Sequence, residues 1–314
     1  MFSDPLCAIF EVVITAKHIT EVVTTADDFE HEVRVGRLLR AHRGSETSHG
    51  GTYIDPLTNN PRQYDFRWVF CHPDGFAVSL AVECKNINSN SPVVVRGQKR
   101  MSIEAFHDLI ESRKGGGFQT SRGNIYLDIS AIGQVRRVAG DDSMYGMGSF
   151  VGRSILRIEA SQTRRPSDAT ITYSRSKDKE IYDRWSQALA SAQDLVLDAR
   201  YYASRFKMPH VFTAIIPVVV VPDAALWSME YDADDELIHD PIKIDQCEFY
   251  VARDMKIPGE FAEFASQTFK FSHIHFVTVK GFEAFLLKVT KDAIWRNRCF
   301  NNNMIQAALS ERLS

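Results

Sequence analysis

The sequence predicts an α/β fold with a mixed central sheet flanked by helices, and three stretches of the chain carry that prediction. Two apolar, aromatic and β-branched runs over 64–71 and 76–84 flank turn residues at 72–75, which is typical of a β-hairpin. Apolar residues at helical spacing predict a long amphipathic helix over 178–206. The nearly continuous β-branched run over 211–221 is typical of a strand covered on both faces, so we expect helices on both sides of the sheet.

The turn of the predicted hairpin sets the register of its strands. If the loop centres on Asp74, Asp65 lies opposite Glu83. Alternation then gives one wholly apolar face, which we expect in the core: Phe66, Trp68, Phe70, Val78, Leu80, Val82 and Cys84. The other face carries small residues and, at one end, Asp65, Glu83 and Lys85. A slip of one residue would set Asp65 against the apolar set and is therefore disfavoured.

The two opposed carboxylates suggest a metal site. Asp65 and Glu83 would repel each other on a half-buried sheet, and a divalent cation between them removes that conflict. Oxygen ligands favour Mg²⁺. The Cys84 side chain is expected to point to the core, but its carbonyl oxygen can serve as a third ligand. Lys85 returns to the acidic face, where its ammonium group can stabilise charge on a phosphate or orient a water. The alternative is an ordinary solvated pair of Glu and Lys.

Asp65, followed across the hairpin by the Glu-Cys-Lys tripeptide that begins at Glu83, resembles the motif of the PD-(D/E)XK nuclease superfamily. The lead-in segments 53–56 and 61–65 resemble restriction-endonuclease-like members of it. Tyr64 stands where those members usually have proline, a departure that leaves the first acidic ligand in place.

The resemblance implies a restriction-endonuclease-like αβββαβ core and a metal-dependent deoxyribonuclease that cleaves phosphodiester bonds. Its cofactor would be Mg²⁺, for which Mn²⁺ is expected to substitute. Asp65, Glu83 and the Cys84 carbonyl would bind the metal, and Asp65, Glu83 and Lys85 would be catalytic. Restriction or anti-phage defence is the role that the resemblance implies, with DNA as partner and with a partner protein or a homodimer as further possibilities.

A helix is predicted to open at residues 25–28 and to end by Gly44. In the superfamily such a helix places a carboxylate over the metal, and Glu30, beside Phe29 at the edge of the expected apolar stripe, matches that position as a fourth catalytic residue. Glu32 is the alternative. Either acid also suits the positive N-terminal end of a helix.

The 314 residues are interpreted as one nuclease domain. Its core would cover about 25–86 and 177–290, with a basic insertion at about 87–176 and a C-terminal helical tail at 291–314. Within the insertion, a helix is predicted over 102–114 because apolar residues recur there at helical spacing.

Two residues outside the motif are candidates for substrate binding. Arg153 follows a glycine loop, in which the backbone can approach a ligand closely. Gln187 lies on the polar side of the predicted helix 178–206, where some members of the superfamily place a Gln or Lys near the metal. A surface glutamine and an exposed arginine beside turn glycines are the simpler interpretations.

Composition bounds the remaining possibilities. The net charge of −3 excludes a polyelectrolyte binder, and the five cysteines form no CxxC pair, so reduced thiols in the cytoplasm are expected. No signal peptide or membrane-spanning run is recognised. His273 and His275 form an H-x-H that we interpret as a strand feature, since further His or Cys at ligand spacing are lacking.

A catalytically silent nuclease-fold module that binds nucleic acid or a partner protein is the alternative function. The intact acidic pair argues against it. Other enzyme classes lack support, because the sequence contains no P-loop, no dinucleotide fingerprint and no nucleophile elbow.

Overall fold

The computed structural model describes residues 28–55, 58–87, 91–114, 118–120, 123–125, 134–164, 169–176, 178–257, 267–303 and 305–306. The α-helices in these residues are α1 (Asp28–Arg40), α2 (Asp178–Ala199), α3 (Tyr202–Arg205), α4 (Val279–Lys291) and α5 (Ala293–Phe300). The strands in the same residues are β1 (Ser45–His49), β2 (Thr52–Ile54), β3 (Pro61–Gln63), β4 (Phe66–His72), β5 (Phe76–Cys84), β6 (Val93–Lys99), β7 (Phe106–Arg113), β8 (Phe118–Thr120), β9 (Gly123–Ile125), β10 (Gln134–Ala139), β11 (Phe150–Arg164), β12 (Ala169–Ser176), β13 (His210–Val221), β14 (Leu226–Glu230), β15 (Ile242–Lys243), β16 (Gln246–Ile257) and β17 (Gln267–Thr278).

Strands β4 and β5 form the predicted hairpin in the predicted register. Phe66 pairs with Val82 and His72 with Phe76, so the loop centres on Asp74. Gly75 has a φ of +83° and donates its N–H to the carbonyl of His72, which is the left-handed turn position that glycine adopts without strain. The register prediction is confirmed.

The hairpin lies within one large mixed sheet. Its main path runs β1-β4-β5-β13-β17-β16-β11-β6-β14-β15. Strands β1, β4 and β5 pair antiparallel, whereas β13 is parallel to β5 and β17 is parallel to β13. Along the chain, α1, three antiparallel strands of the hairpin region, α2 and the parallel strand β13 therefore follow one another, with further strands between β5 and α2.

Strands from the segment 87–176 belong to this same sheet. Strand β6 lies between β11 and β14, and β7 pairs with the first half of β13 while β17 pairs with the second half. The segment predicted as an insertion thus extends the sheet that contains the hairpin.

Helices cover both faces of the sheet around the hairpin, as the α/β prediction requires. Helix α2 packs on one face, where its buried side chains meet small residues of β5 such as Ala77 and Ala81. Helices α1, α4 and α5 cover the other face, which carries the apolar set predicted for the core, including Trp68 and Leu80. Strand β13 contributes to both cores, because Ile215 packs on the first side and Ile216 on the second.

The prediction of a helix over 102–114 is wrong. The chain forms a short 3₁₀ turn, Ser102–Glu104, and then strand β7. Every residue of β7 except Arg113 is buried, so both faces of this stretch are covered. The apolar spacing that suits a helix also suits a strand that is buried on two sides, and here the second pattern applies.

The buried stripe of α1 differs from the expected one. Phe29 is 66% exposed, whereas His31, Val35 and Leu39 are buried. The stripe therefore begins at His31, and the prediction that Phe29 is buried is wrong. Of the stretch 25–28, at which the helix is predicted to open, residues 25–27 lie outside the described residues.

Among the described residues, no helix combines the length and the apolar character needed to cross a membrane. Cys71, Cys84, Cys247 and Cys299 are free thiols.

Candidate active site

Asp65 lies immediately before β4, at the end of the hairpin remote from its turn. Its carboxylate Oδ2 accepts a hydrogen bond of 2.6 Å from the backbone N–H of Cys84, and its own carbonyl accepts one from Gly50. Burial raises the pKa of Asp65, while the hydrogen bond from Cys84 and the charge of Lys85 oppose that rise. The structure thus fixes one carboxylate against the end of β5.

Glu83 is the more perturbed acid. It is 4% exposed, at the end of β5, beside β13. Burial raises the pKa of Glu83 to about 7, and the negative charges of Asp65 and Glu32 add to this effect, while Lys85 opposes it. The predicted proximity of the two acids is therefore present, and the charge of Asp65 raises the cost of ionising Glu83.

Lys85 reaches back over this acidic end. Its Nζ lies 2.6 Å from Glu83 Oε1 and donates a second hydrogen bond, of 3.1 Å, to the side-chain oxygen of Gln187 on α2. The backbone N–H of Lys85 donates to the carbonyl of Val220 on β13. The structure thus places Gln187, a sequence candidate, in direct contact with the motif lysine.

The backbone of Cys84 faces the acids. In an extended strand the N–H and C=O of one residue point to the same side. The N–H of Cys84 donates to Asp65, so its carbonyl is directed to the side of the strand where Asp65 lies. The Cys84 side chain is buried in the opposite core, as the alternation predicted.

Helix α1 brings Glu32 to the site rather than Glu30, the residue predicted from the sequence. Glu30 is exposed, whereas the charge of Glu32 acts on both Glu83 and Cys84. Glu32 Oε2 also lies 3.7 Å from Nε2 of His49, a residue of β1. Because the buried stripe begins at His31, the acid next along the helix turns toward the hairpin, which favours the alternative residue.

His31 and His49 are site neighbours that the sequence reasoning missed. His31 Nε2 lies 3.1 Å from the carbonyl oxygen of Val220, which also accepts the N–H of Lys85. The ring of His49 stacks on Phe66, directly after Asp65, at a centroid distance of 4.6 Å. In the sequence, only helical spacing could have indicated His31, because it stands four residues before Val35 and so on the same face of the helix.

Arg67 supports the site from the face that α2 covers. Its guanidinium lies 4.1 Å from the ring centre of Tyr64 and 2.8 Å from the Asp194 carboxylate, and it donates to the Ser191 hydroxyl. Tyr64, directly before Asp65, is thus linked to α2 through its cation–π contact with Arg67.

Arg153 lies away from this cluster. It is on β11, and its guanidinium donates to the buried carboxylate of Glu104 at 3.0 Å. It also lines an open groove with Arg96 and Gln98 of β6. The structure therefore does not bring Arg153 together with the acidic pair.

The H-x-H residues belong to a buried hydrogen-bonded network. Arg100 Nε lies 3.2 Å from His273 Nε2, and the Tyr145 hydroxyl lies 2.9 Å from His275 Nε2. Burial lowers the pKa of both histidines, so they are neutral at physiological pH. This agrees with their interpretation as a strand feature.

The donor set at the acidic end fits a divalent cation with few protein ligands. No group of three His, Cys, Asp or Glu side chains with metal-binding geometry occurs among the described residues. Mg²⁺, however, is commonly held by one or two carboxylates and completes its shell with water and substrate oxygens. Asp65, Glu83 and the Cys84 carbonyl meet that requirement, because a partly buried and a buried acid, both with raised pKa values, lie at the end of β5 where the Cys84 carbonyl is directed to the side of Asp65.

Comparison with known proteins adds no assignment: no family model, no curated protein and no solved structure matches this chain.

Proposed function

We propose that this protein is a metal-dependent phosphodiesterase that hydrolyses DNA. The observation that carries the proposal is a pair of carboxylates, the partly buried Asp65 and the buried Glu83, held beside Lys85 at one end of the hairpin. Removing two neighbouring acids from water is costly, and a bound cation offsets that cost. The order helix, antiparallel hairpin, helix and parallel strand supports the same proposal, since it agrees with the αβββαβ order that the motif implies.

Each residue of the site has a role in that reaction. Asp65, Glu83 and the Cys84 carbonyl would bind Mg²⁺, which when bound stabilises negative charge on a phosphate and lowers the pKa of water. Lys85 carries the charge that would contact a phosphate oxygen or orient the attacking water. Gln187 accepts a hydrogen bond from the Lys85 ammonium, so α2 would help to position the lysine beside a bound phosphate. Glu32 would add negative charge on the helix side.

A catalytically silent binding module is the competing candidate, and one observation favours it. The charges at the site already satisfy one another: Asp65 accepts from the Cys84 N–H, and Glu83 pairs with Lys85. Such a closed network can persist without a cation. A role in restriction or anti-phage defence depends on the motif resemblance alone.

Incubation with supercoiled plasmid separates these candidates. We expect nicking with Mg²⁺ or Mn²⁺, none with EDTA, and loss of nicking in Lys85→Ala and Asp65→Asn. Lys291→Ala, at an exposed position at the end of α4, is the matched control and should cut like the wild type. Absence of cleavage together with absence of Mg²⁺ binding by calorimetry would refute the enzyme and leave the binding module.

A further inference from the structure

A cavity between α2 and the strands β16 and β17 lies outside the acidic site. Its walls are mainly apolar and aromatic, and its lining residues are Trp185, Ser186, Leu189, Ala190, Gln193, Phe249, Val251, Arg253 and Ile274. The ring of Trp185 is held edge-on against Phe249 at 6.1 Å and against Phe276 at 4.6 Å between centroids. The aromatic wall is therefore fixed in position by its neighbours.

Two polar side chains in this cavity lack partners in the described part of the chain. Gln193 is only 8% exposed, yet its carboxamide makes no hydrogen bond with any described residue. Arg253, half-buried on β16, forms no ion pair or hydrogen bond with a described residue either. Because both side chains line the cavity, the Gln193 carboxamide and the Arg253 guanidinium can bind a ligand that enters there.

The backbone beside the cavity is distorted. The pairing of β16 with β17 shifts register between Tyr250 and Arg253, and Ala252 within this bulge has a φ of +44°. A positive φ at alanine is strained, and β-bulges re-aim side chains next to functional sites. The bulge lies directly before Arg253, so the strained conformation sets the direction of the guanidinium that lines the cavity.

We propose that this cavity binds a nucleobase whose attached phosphate is met by Arg253. A base has two flat apolar faces that suit the aromatic and aliphatic walls. Its edge presents adjacent donors and acceptors, which the carboxamide of Gln193 can match in two hydrogen bonds, since it carries one acceptor and two donors. The cationic Arg253 at the polar side of the cavity complements the phosphate. The carboxamide and the guanidinium therefore match two parts of the same ligand, the base and the phosphate of a nucleotide.

This inference deepens the proposed function, because it names the part of a nucleic acid that the protein would hold apart from the scissile bond. Ser186 lines the cavity and is the chain neighbour of Gln187, whose side chain contacts Lys85. The cavity and the acidic site thus use adjacent faces of α2. A base in a duplex is stacked and cannot enter such a cavity, so the base would come from a single strand, an unstacked position or a free nucleotide.

Binding measured in EDTA tests the proposal without requiring cleavage. The probes are the four deoxynucleoside monophosphates, a fluorescein-labelled single-stranded 12-mer, the same 12-mer with abasic sites, and its duplex. We expect the wild type to bind the single strand more tightly than the duplex, and the abasic strand at least tenfold more weakly. Competition by a monophosphate would identify a free nucleotide as the source, whereas its absence would identify a base within a strand.

The variants are Gln193→Leu, Arg253→Gln and the control Arg298→Gln, which is exposed on α5. Each of the first two should weaken base-dependent binding at least tenfold, and the control should bind like the wild type. Gln193→Leu should also unfold at nearly the same temperature as the wild type, because it breaks no hydrogen bond to a described residue. Equal binding of intact and abasic strands, unchanged binding by both variants, or binding of no probe would overturn the proposal. Plasmid nicking that persists in that case would leave the proposed function standing.

Discussion

Replacing Glu83 by glutamine should remove a pH-dependent destabilisation that the wild type carries. The ordinary pKa of a glutamic acid, 4.5, rises to about 7 in the folded protein, chiefly through burial. The folded state therefore holds the proton more tightly than the unfolded chain, and the free energy of unfolding falls as the pH rises from 4.5 toward 7. One pKa unit corresponds to about 1.4 kcal/mol, so the loss between pH 5 and pH 8 is about 2 to 3 kcal/mol.

The measurement is urea unfolding of both proteins in EDTA at pH 5 and pH 8. Other groups titrate equally in both, so the difference between the proteins isolates Glu83. From pH 5 to pH 8, the free energy of unfolding of the variant minus that of the wild type should rise by about 2 to 3 kcal/mol, whichever protein is the more stable at pH 5. Glu283→Gln, at an exposed position on α4, should show no such shift. A difference that stays constant with pH would refute the reasoning that burial controls this carboxyl.

Three other perturbations test the surroundings of the site. Mg²⁺ affinity, measured by calorimetry from pH 6 to pH 8, should rise with pH because the cation requires Glu83 as a carboxylate, and a flat profile would contradict this. Arg67→Met breaks the ion pairs that join Arg67 to α2, in which the partner Asp194 is about a third exposed. The free energy of unfolding, followed by thermal unfolding, should fall by about 2 kcal/mol, whereas Arg43→Met, at an exposed position, should leave it nearly unchanged. Gly97→Ala would set a methyl group against a backbone carbonyl of the paired strand β11 and should cost about 3 kcal/mol. A methyl group at Gly146 meets only the Ser149 hydroxyl, at an ordinary contact distance of 4.0 Å, so Gly146→Ala is the control. Equal stability of these two variants would show that β6 and β11 separate easily.

The hairpin and its contacts could be predicted because local chemistry determines them. The turn at Asp74 and Gly75 fixes the register, and the register in turn places Asp65 beside the end of β5. Covering of the hairpin on both faces followed from the apolar alternation and from the β-branched strand. The resemblance suggested Gln187 as a residue near the metal, and the structure places its side-chain oxygen 3.1 Å from the Lys85 Nζ.

Strand β7 could not be predicted because long-range partners decide it. Asp108 and Glu111 are polar residues that a helix would place on its exposed side. In the structure they are buried and pair with Arg137 and Arg136 of β10, more than twenty residues further along the chain. No local pattern reveals that the arginines of β10 lie close enough to neutralise these charges. Because they do, β7 can be buried on both faces, where the sequence indicated one polar side.

The pairing of β5 with β13 has a consequence for how the protein is made. Both strands are central, but β13 emerges from the ribosome about 125 residues after β5. At ordinary rates of synthesis this delay is on the order of ten seconds, during which β5 lacks its neighbour β13 and the hairpin lacks the cover that later helices provide. Contacts of such long sequence separation also slow folding itself. The acidic end of the hairpin, which depends on Val220 and Gln187, is therefore completed late, and a nascent chain that halts before β13 exposes an aggregation-prone hairpin without an assembled site.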